Sequence, residues 1–117
     1  MRFFMYTLGD ESIPIPPPSP ELLVEMGAFM AEEARSGHLI ETGGFGPSAL
    51  GAKVDYSGGT YTVTDGPFSE AKELIGGWAL VRADSKEEAI EMAKRFLKIV
   101  GGGESRLRQV FGAEDFG

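Results

Sequence analysis

The segment that most constrains this chain is an alternating strand that runs into Asp65-Gly66-Pro67 and resumes as an apolar strand with two adjacent glycines. Thr60 to Thr64 alternates with period two, so one face of the strand is apolar and the other polar. Asp-Gly-Pro then imposes a bend, because Gly tolerates backbone angles closed to other residues and Pro fixes its own. Leu74 to Arg82 reads as the next strand, and Gly76-Gly77 inside it marks a bulge or a close backbone approach. Asp65 therefore stands at a strand end, where solvent or a ligand reaches a carboxylate.

The rest of the chain supplies the partners of that strand. Phe3 to Leu8 is apolar throughout and too short for a helix, which predicts a strand buried on both faces. A loop with five of the seven prolines follows. Ser19-Pro20-Glu21 then opens a helix, with a hydroxyl cap, Pro at the first position and an acid in the first turn. It is expected to run to about Ser36 and stop at Gly37. Its apolar stripe is Leu22, Leu23, Met26, Phe29, Met30 and Ala34, with Glu25, Glu32 and Glu33 solvated.

His38 to Thr42 reads as a short strand, and Gly43 to Ser48 as irregular. Ala52 to Tyr56 and Thr60 to Thr64 form a hairpin about Ser57-Gly58-Gly59. Ser85 and Glu88 make a capping box for a second helix that ends at Gly101, and Arg106 to Phe111 is the last strand.

This order is a single domain over residues 1–117 of the α+β class: a ferredoxin-like split βαβ with both helices on one face of an antiparallel sheet. The other face needs a cover. Phe4, Tyr6, Tyr61, Val63 and Trp78 are its expected apolar residues, which predicts a homodimer through the sheet face.

Composition limits the chemistry. Eighteen acidic against eleven basic side chains give a net charge of -7, which repels phosphate backbones and anionic lipid, so neither nucleic acid nor membrane is an expected partner. Without cysteine there is no disulfide and no thiolate nucleophile. One histidine does not make a zinc site of the usual kind, and no metal or cofactor motif is present. The N-terminus lacks the pattern of a signal peptide, so a cytoplasmic location is expected.

Asp65 is the leading catalytic candidate, as general acid or base, against a structural role in capping the Gly66-Pro67 turn. His38 is the second, against an interaction with the helix C-terminal carbonyls. Lys72 is a candidate anchor for a substrate carboxylate, against a solvated loop lysine. Glu41, Glu70 and Glu73 are further acids whose mutual geometry no spacing fixes. Phe45 is a candidate lid on the Gly-rich loop, and Phe68 and Trp78 are candidate ligand contacts, against core or dimer contacts.

Asp65-Gly66-Pro67-Phe68, with Glu70, Lys72-Glu73 and Gly76-Gly77, resembles the YCII-related superfamily. More narrowly it is similar to the branch named for its Asp-Gly-Pro-Phe motif. The resemblance extends to the N-terminal strand, the Gly37 stop, the Gly-rich loop ending at Pro47, and Asp84-Ser85 with Glu88-Ala89. It implies a dimeric α+β barrel with a cleft between subunit sheets, and an association of some members with sigma factors. In the YCII branch, the resemblance implies a histidine on the first helix paired with an aspartate. That histidine position falls near Met26, and a glutamate of related loops falls at about Gly43. Both are replaced here.

The expected function is a cofactor-free acid–base enzyme or enzyme-like protein acting on a small molecule, of lyase, isomerase or hydrolase type. The alternative is a non-catalytic ligand-binding or regulatory accessory module, linked by family association to sigma-factor regulation.

Overall fold

The computed structural model describes residues 1–9, 17–67 and 74–115. Phe68, Glu70, Lys72, Glu73 and most of the proline-rich loop lie outside the described residues. Among the described residues, six strands and two helices follow in the order β1 (Arg2–Gly9), α1 (Pro20–Arg35), β2 (Leu39–Gly44), β3 (Ala52–Ser57), β4 (Thr60–Asp65), β5 (Leu74–Arg82), α2 (Lys86–Val100) and β6 (Glu104–Val110). A single 3-10 turn at Ser48–Leu50 precedes β3.

The helix ends follow from local chemistry. The Ser19 hydroxyl accepts from the Leu22 amide at 3.1 Å, and Gly37 closes α1 with a φ of +84° that favours glycine. The Ser85 hydroxyl accepts from the Glu88 amide at 3.1 Å, and Gly101 closes α2 at φ +90°. The capping box is present in this half, while the Glu88 carboxylate reaches His38.

Strands β2, β5, β1 and β6 form one sheet in that order, every neighbouring pair antiparallel. With both helices on one side, this is the α+β, ferredoxin-like arrangement expected from the sequence. Phe3, Met5 and Val81 pack against Ala89, Met92 and Ala93 of α2 to form the core. β1 thus alternates, with Phe3 and Met5 buried but Phe4 and Tyr6 only half-buried, where burial on both faces was expected. Between Tyr6 and Leu8 the register slips, so that Thr7 faces both Gly76 and Gly77. That is the anticipated bulge, and the Thr7 hydroxyl accepts from the Gly77 amide at 2.9 Å to hold it.

Two expectations about the sheet change. Gly43 and Gly44 are not irregular but end β2, and His38 precedes that strand. Tyr61 and Val63 do not share the face of Phe4 and Trp78, because β3 and β4 form a separate two-stranded sheet. The long connection between β2 and β5 gives this hairpin room to leave the body.

Candidate functional site

Met26, Phe29, Met30 and Glu33 lie at helical spacing on one side of α1, and that side faces a cavity rather than a filled core. The cavity holds about 190 Å3 between the helices and the sheet. Met5, Val81 and Ala79 form its floor, and Met92, Ala93 and Phe96 its α2 wall. Four of the five methionines of the chain, Met5, Met26, Met30 and Met92, line it. Their unbranched, polarisable thioethers adapt to an occupant and favour contact with aromatic rings. The rings of Phe29 and Phe96, with centroids 6.5 Å apart, join the two helices.

Glu33 is the polar exception. It is the one buried charged residue among the described residues, not the solvated acid expected. One carboxylate oxygen lies 3.1 Å from the guanidinium of Arg95, and the other 3.1 Å from Nδ1 of His38. His38 Nε2 lies 3.2 Å from the Glu88 carboxylate, and the Ser36 hydroxyl is 3.0 Å from Nδ1. The imidazole therefore meets carboxylates at the end of α1, rather than the carbonyls expected there. A row of ionisable groups, Arg95–Glu33–His38–Glu88, joins the cavity wall to the half-exposed rim between the helices. A carboxylate bonded to an imidazole is a unit that accepts and returns protons.

The signal for Glu33 was present in the sequence. It falls seven residues after Met26 and three after Met30, on the apolar stripe. Polarity alone placed it in solvent.

The sheet end adds further polar groups. Thr42, Thr7 and Ser105 line the cavity, and the Thr42 hydroxyl donates to the Trp78 carbonyl at 2.8 Å. Trp78 takes part in the lining at one end, while its ring lies on the far face of the sheet, across Gly43: a Cβ on Gly43 would stand 2.9 Å from the Trp78 ring. Glycine at this position is what admits the indole. On that face Trp78 stacks on Phe4, with centroids 5.8 Å apart.

The other predicted residues are spread more widely. Asp65 is exposed at the end of β4, paired across the hairpin with Ala52 and outside the cavity lining. The turn beside it is a packing joint: the Gly66 amide donates to the Gly51 carbonyl at 2.9 Å, and a Cβ on Gly66 would fall 1.7 Å from the Ser48 carbonyl oxygen. Glu41 is exposed on β2, and Phe45 is exposed after it. Thus the structure brings His38 to the carboxylate of Glu33, itself a lining residue, and Trp78 into the lining with its ring on the far face, and it leaves Asp65, Glu41 and Phe45 apart from the lining. Lys72 and Phe68 lie outside the described residues. Among the described residues no cluster of His, Asp and Glu is arranged to hold a metal, and no helix is long and apolar enough to cross a membrane.

The model of the YCII-related domain matches residues 1–106. The chain belongs to the YCII-related domain family. An uncharacterised protein of Rhizobium meliloti (strain 1021), R00369, is 30% identical over 70 residues. The match covers 60% of this chain and 56% of that relative, so it spans little more than half the relative's length. Among solved structures, the chain is similar to 5-chloro-2-hydroxyhydroquinone dehydrochlorinase (TftG) from Burkholderia phenoliruptrix AC1100, in complex with 2,5-dihydroxybenzoquinone. There the identity is 17% and the TM-score 0.48, over 98% of each chain. Met26 and Gly43, where the family resemblance implies a histidine and a glutamate, both line the cavity of this YCII-related chain.

Proposed function

We propose that this YCII-related chain is a small-molecule enzyme or enzyme-like protein whose acid–base group is Glu33, acting in the cavity between the helices and the sheet. The observation that carries this is a buried carboxylate on an otherwise apolar wall, held by His38 and Arg95. An apolar protein cavity of about 150 Å3 is enough to bind benzene, so one of this size takes a single-ring molecule. Glu33 disfavours an anionic ligand and favours one that presents a hydrogen-bond donor. A neutral, largely apolar, ring-sized molecule carrying a hydroxyl meets these conditions. Glu33 would take or return its proton, with His38 orienting the carboxylate.

The working protein in this reading is a homodimer through the sheet face that carries Phe4, Tyr6 and Trp78. Exposure of Asp65 supports a second reading, in which that carboxylate serves at a cleft near the dimer interface.

Phenol and toluene, nearly equal in size, test the cavity reading. Wild type should bind phenol at least about tenfold more tightly, the worth of one hydrogen bond to a charged acceptor. Glu33→Leu should abolish that preference. Equal binding of the two probes by wild type would contradict the role given to Glu33. Once a turnover screen of single-ring hydroxylated compounds yields a substrate, Glu33→Gln should lose the activity and Asp65→Asn keep it. The reverse pattern would move the acid–base role to Asp65.

A further inference from the structure

The hairpin of β3 and β4 is built like a surface that expects a cover. Its register sets Val54 opposite Val63 and Tyr56 opposite Tyr61, so all four side chains share one face. Lys53, Asp55, Thr62 and Thr64 take the other. Yet the apolar four are 64–72% exposed. A lone two-stranded hairpin is marginal in water, and burial of one face is what ordinarily sustains it. The chain is also extended for its size. Its radius of gyration is 16.8 Å, against about 13 Å for a compact domain of this length.

The same chain carries a second uncovered surface. Both helices lie against the face of Phe3, Met5 and Val81, and among the described residues no helix lies on the opposite one. There, Phe4 and Tyr6 of β1 face Leu80 and Trp78 of β5 across the register. Around them the register places Arg2, Arg82, Arg106 and Arg108, against Glu41 and Glu104. This face is therefore net basic on a chain whose net charge is -7. The arm answers it in charge as well as in apolarity. Asp65 pairs with Ala52 on the same side as Val54 and Tyr61, and it is the one charged residue of that side.

The geometry points to an arm exchange: the β3–β4 hairpin of one copy lies with its apolar face on the bare sheet of a second copy and delivers Asp65 toward that copy's arginines. The occupant is a second copy because one chain holds both halves of the match, an apolar stripe ending in a carboxylate and an aromatic face rimmed by arginine. The four exposed arm residues offer roughly 500 Å2, which the sheet face extends toward the ~800 Å2 per partner of a stable interface. The inference rests on the proposed sheet-face dimer and adds what the arm contributes to it. It also gives the Asp-Gly-Pro turn a role, since Gly66, seated against Ser48 and bonded to Gly51, closes the base of the arm.

The full chain, free of cysteine, permits a direct test. Val63→Cys carries a benzophenone maleimide as its only thiol adduct, and isotopically heavy and light copies are mixed before photolysis. The expected cross-link joins the arm of one copy to β1 or β5 of the other. In sedimentation, Tyr56→Ser with Tyr61→Ser should weaken dimerisation about a hundredfold, since truncated interface tyrosines commonly cost tenfold or more each. Both tyrosines are exposed, but their rings meet at 4.9 Å across the hairpin, so far-UV circular dichroism and limited proteolysis of the arm check that the variant keeps its fold. Cross-links confined to one chain, or joining arm to arm, overturn the exchange. So does a dimer that ignores the tyrosine substitutions but is broken by Arg108→Glu, and in that case the sheet-face dimer itself stands. A chain that sediments as a monomer at every concentration removes both.

Discussion

Replacing Glu33 by Leu separates a carboxylate kept for chemistry from one kept for stability. The Glu33 side chain is 10% exposed, but its partners Arg95 and His38 are 53% and 37% exposed. Polar contacts of this kind, with one end in water, are worth about 0.5–1 kcal/mol each, so losing both costs about 1–2 kcal/mol. Neither partner is left stranded, since water reaches Arg95 and Glu88 still meets His38. Leucine at this position would extend the Met26–Met30 stripe and cover part of the cavity lining. Burying a leucine side chain gains about 1.5–3 kcal/mol. The net runs from a loss of about 0.5 kcal/mol to a gain of about 2 kcal/mol, in keeping with other buried polar pairs replaced by apolar groups. Thermal unfolding followed by circular dichroism should show a Tm that is nearly unchanged or several degrees higher. Phenol binding should be weakened in the same variant. A loss of about 2 kcal/mol or more would make Glu33 a structural anchor instead, with a worth exceeding that of exposed pairs.

Gly66→Ala should loosen the base of the arm, since the new methyl group meets the Ser48 carbonyl. Backbone on backbone gives little way, so protease cleavage and amide exchange should rise within residues 48–66, with α2 and β1 unaffected. Gly43→Glu should expel the Trp78 ring from its place over β2, at a cost of about 1–3 kcal/mol typical of overpacking. Its signature is a shift in tryptophan fluorescence, and an unshifted spectrum would contradict the contact. Asp65→Asn should leave stability within about 0.5 kcal/mol of wild type, as for most exposed substitutions. A larger loss would show that the carboxylate holds the turn.

Much of the fold was legible because it is written in local signals. The Ser19 and Ser85 caps, the Gly37 and Gly101 stops and the Gly76-Gly77 bulge each depend on a few neighbouring residues. The candidate site was less legible because it depends on distance across the fold. Glu33 lies 62 residues from Arg95, and nothing local to either announces the pair. His38 was visible as the only histidine, but its two carboxylate partners come from different helices. The hairpin was readable as a hairpin with one apolar face. Its departure from the main sheet was not, because period-two alternation says that a face wants cover without saying which surface supplies it.

The proposed function requires that the methionine-lined cavity take a ring-sized molecule against Glu33. Methyl-labelled methionine spectra with phenol as the probe test it most directly, because Met1, 55% exposed and outside the lining, serves as an internal control. Saturable shifts of the Met5, Met26, Met30 and Met92 methyl signals are expected, with Met1 unmoved. Shifts absent from those four, or shared equally by Met1, would contradict that requirement.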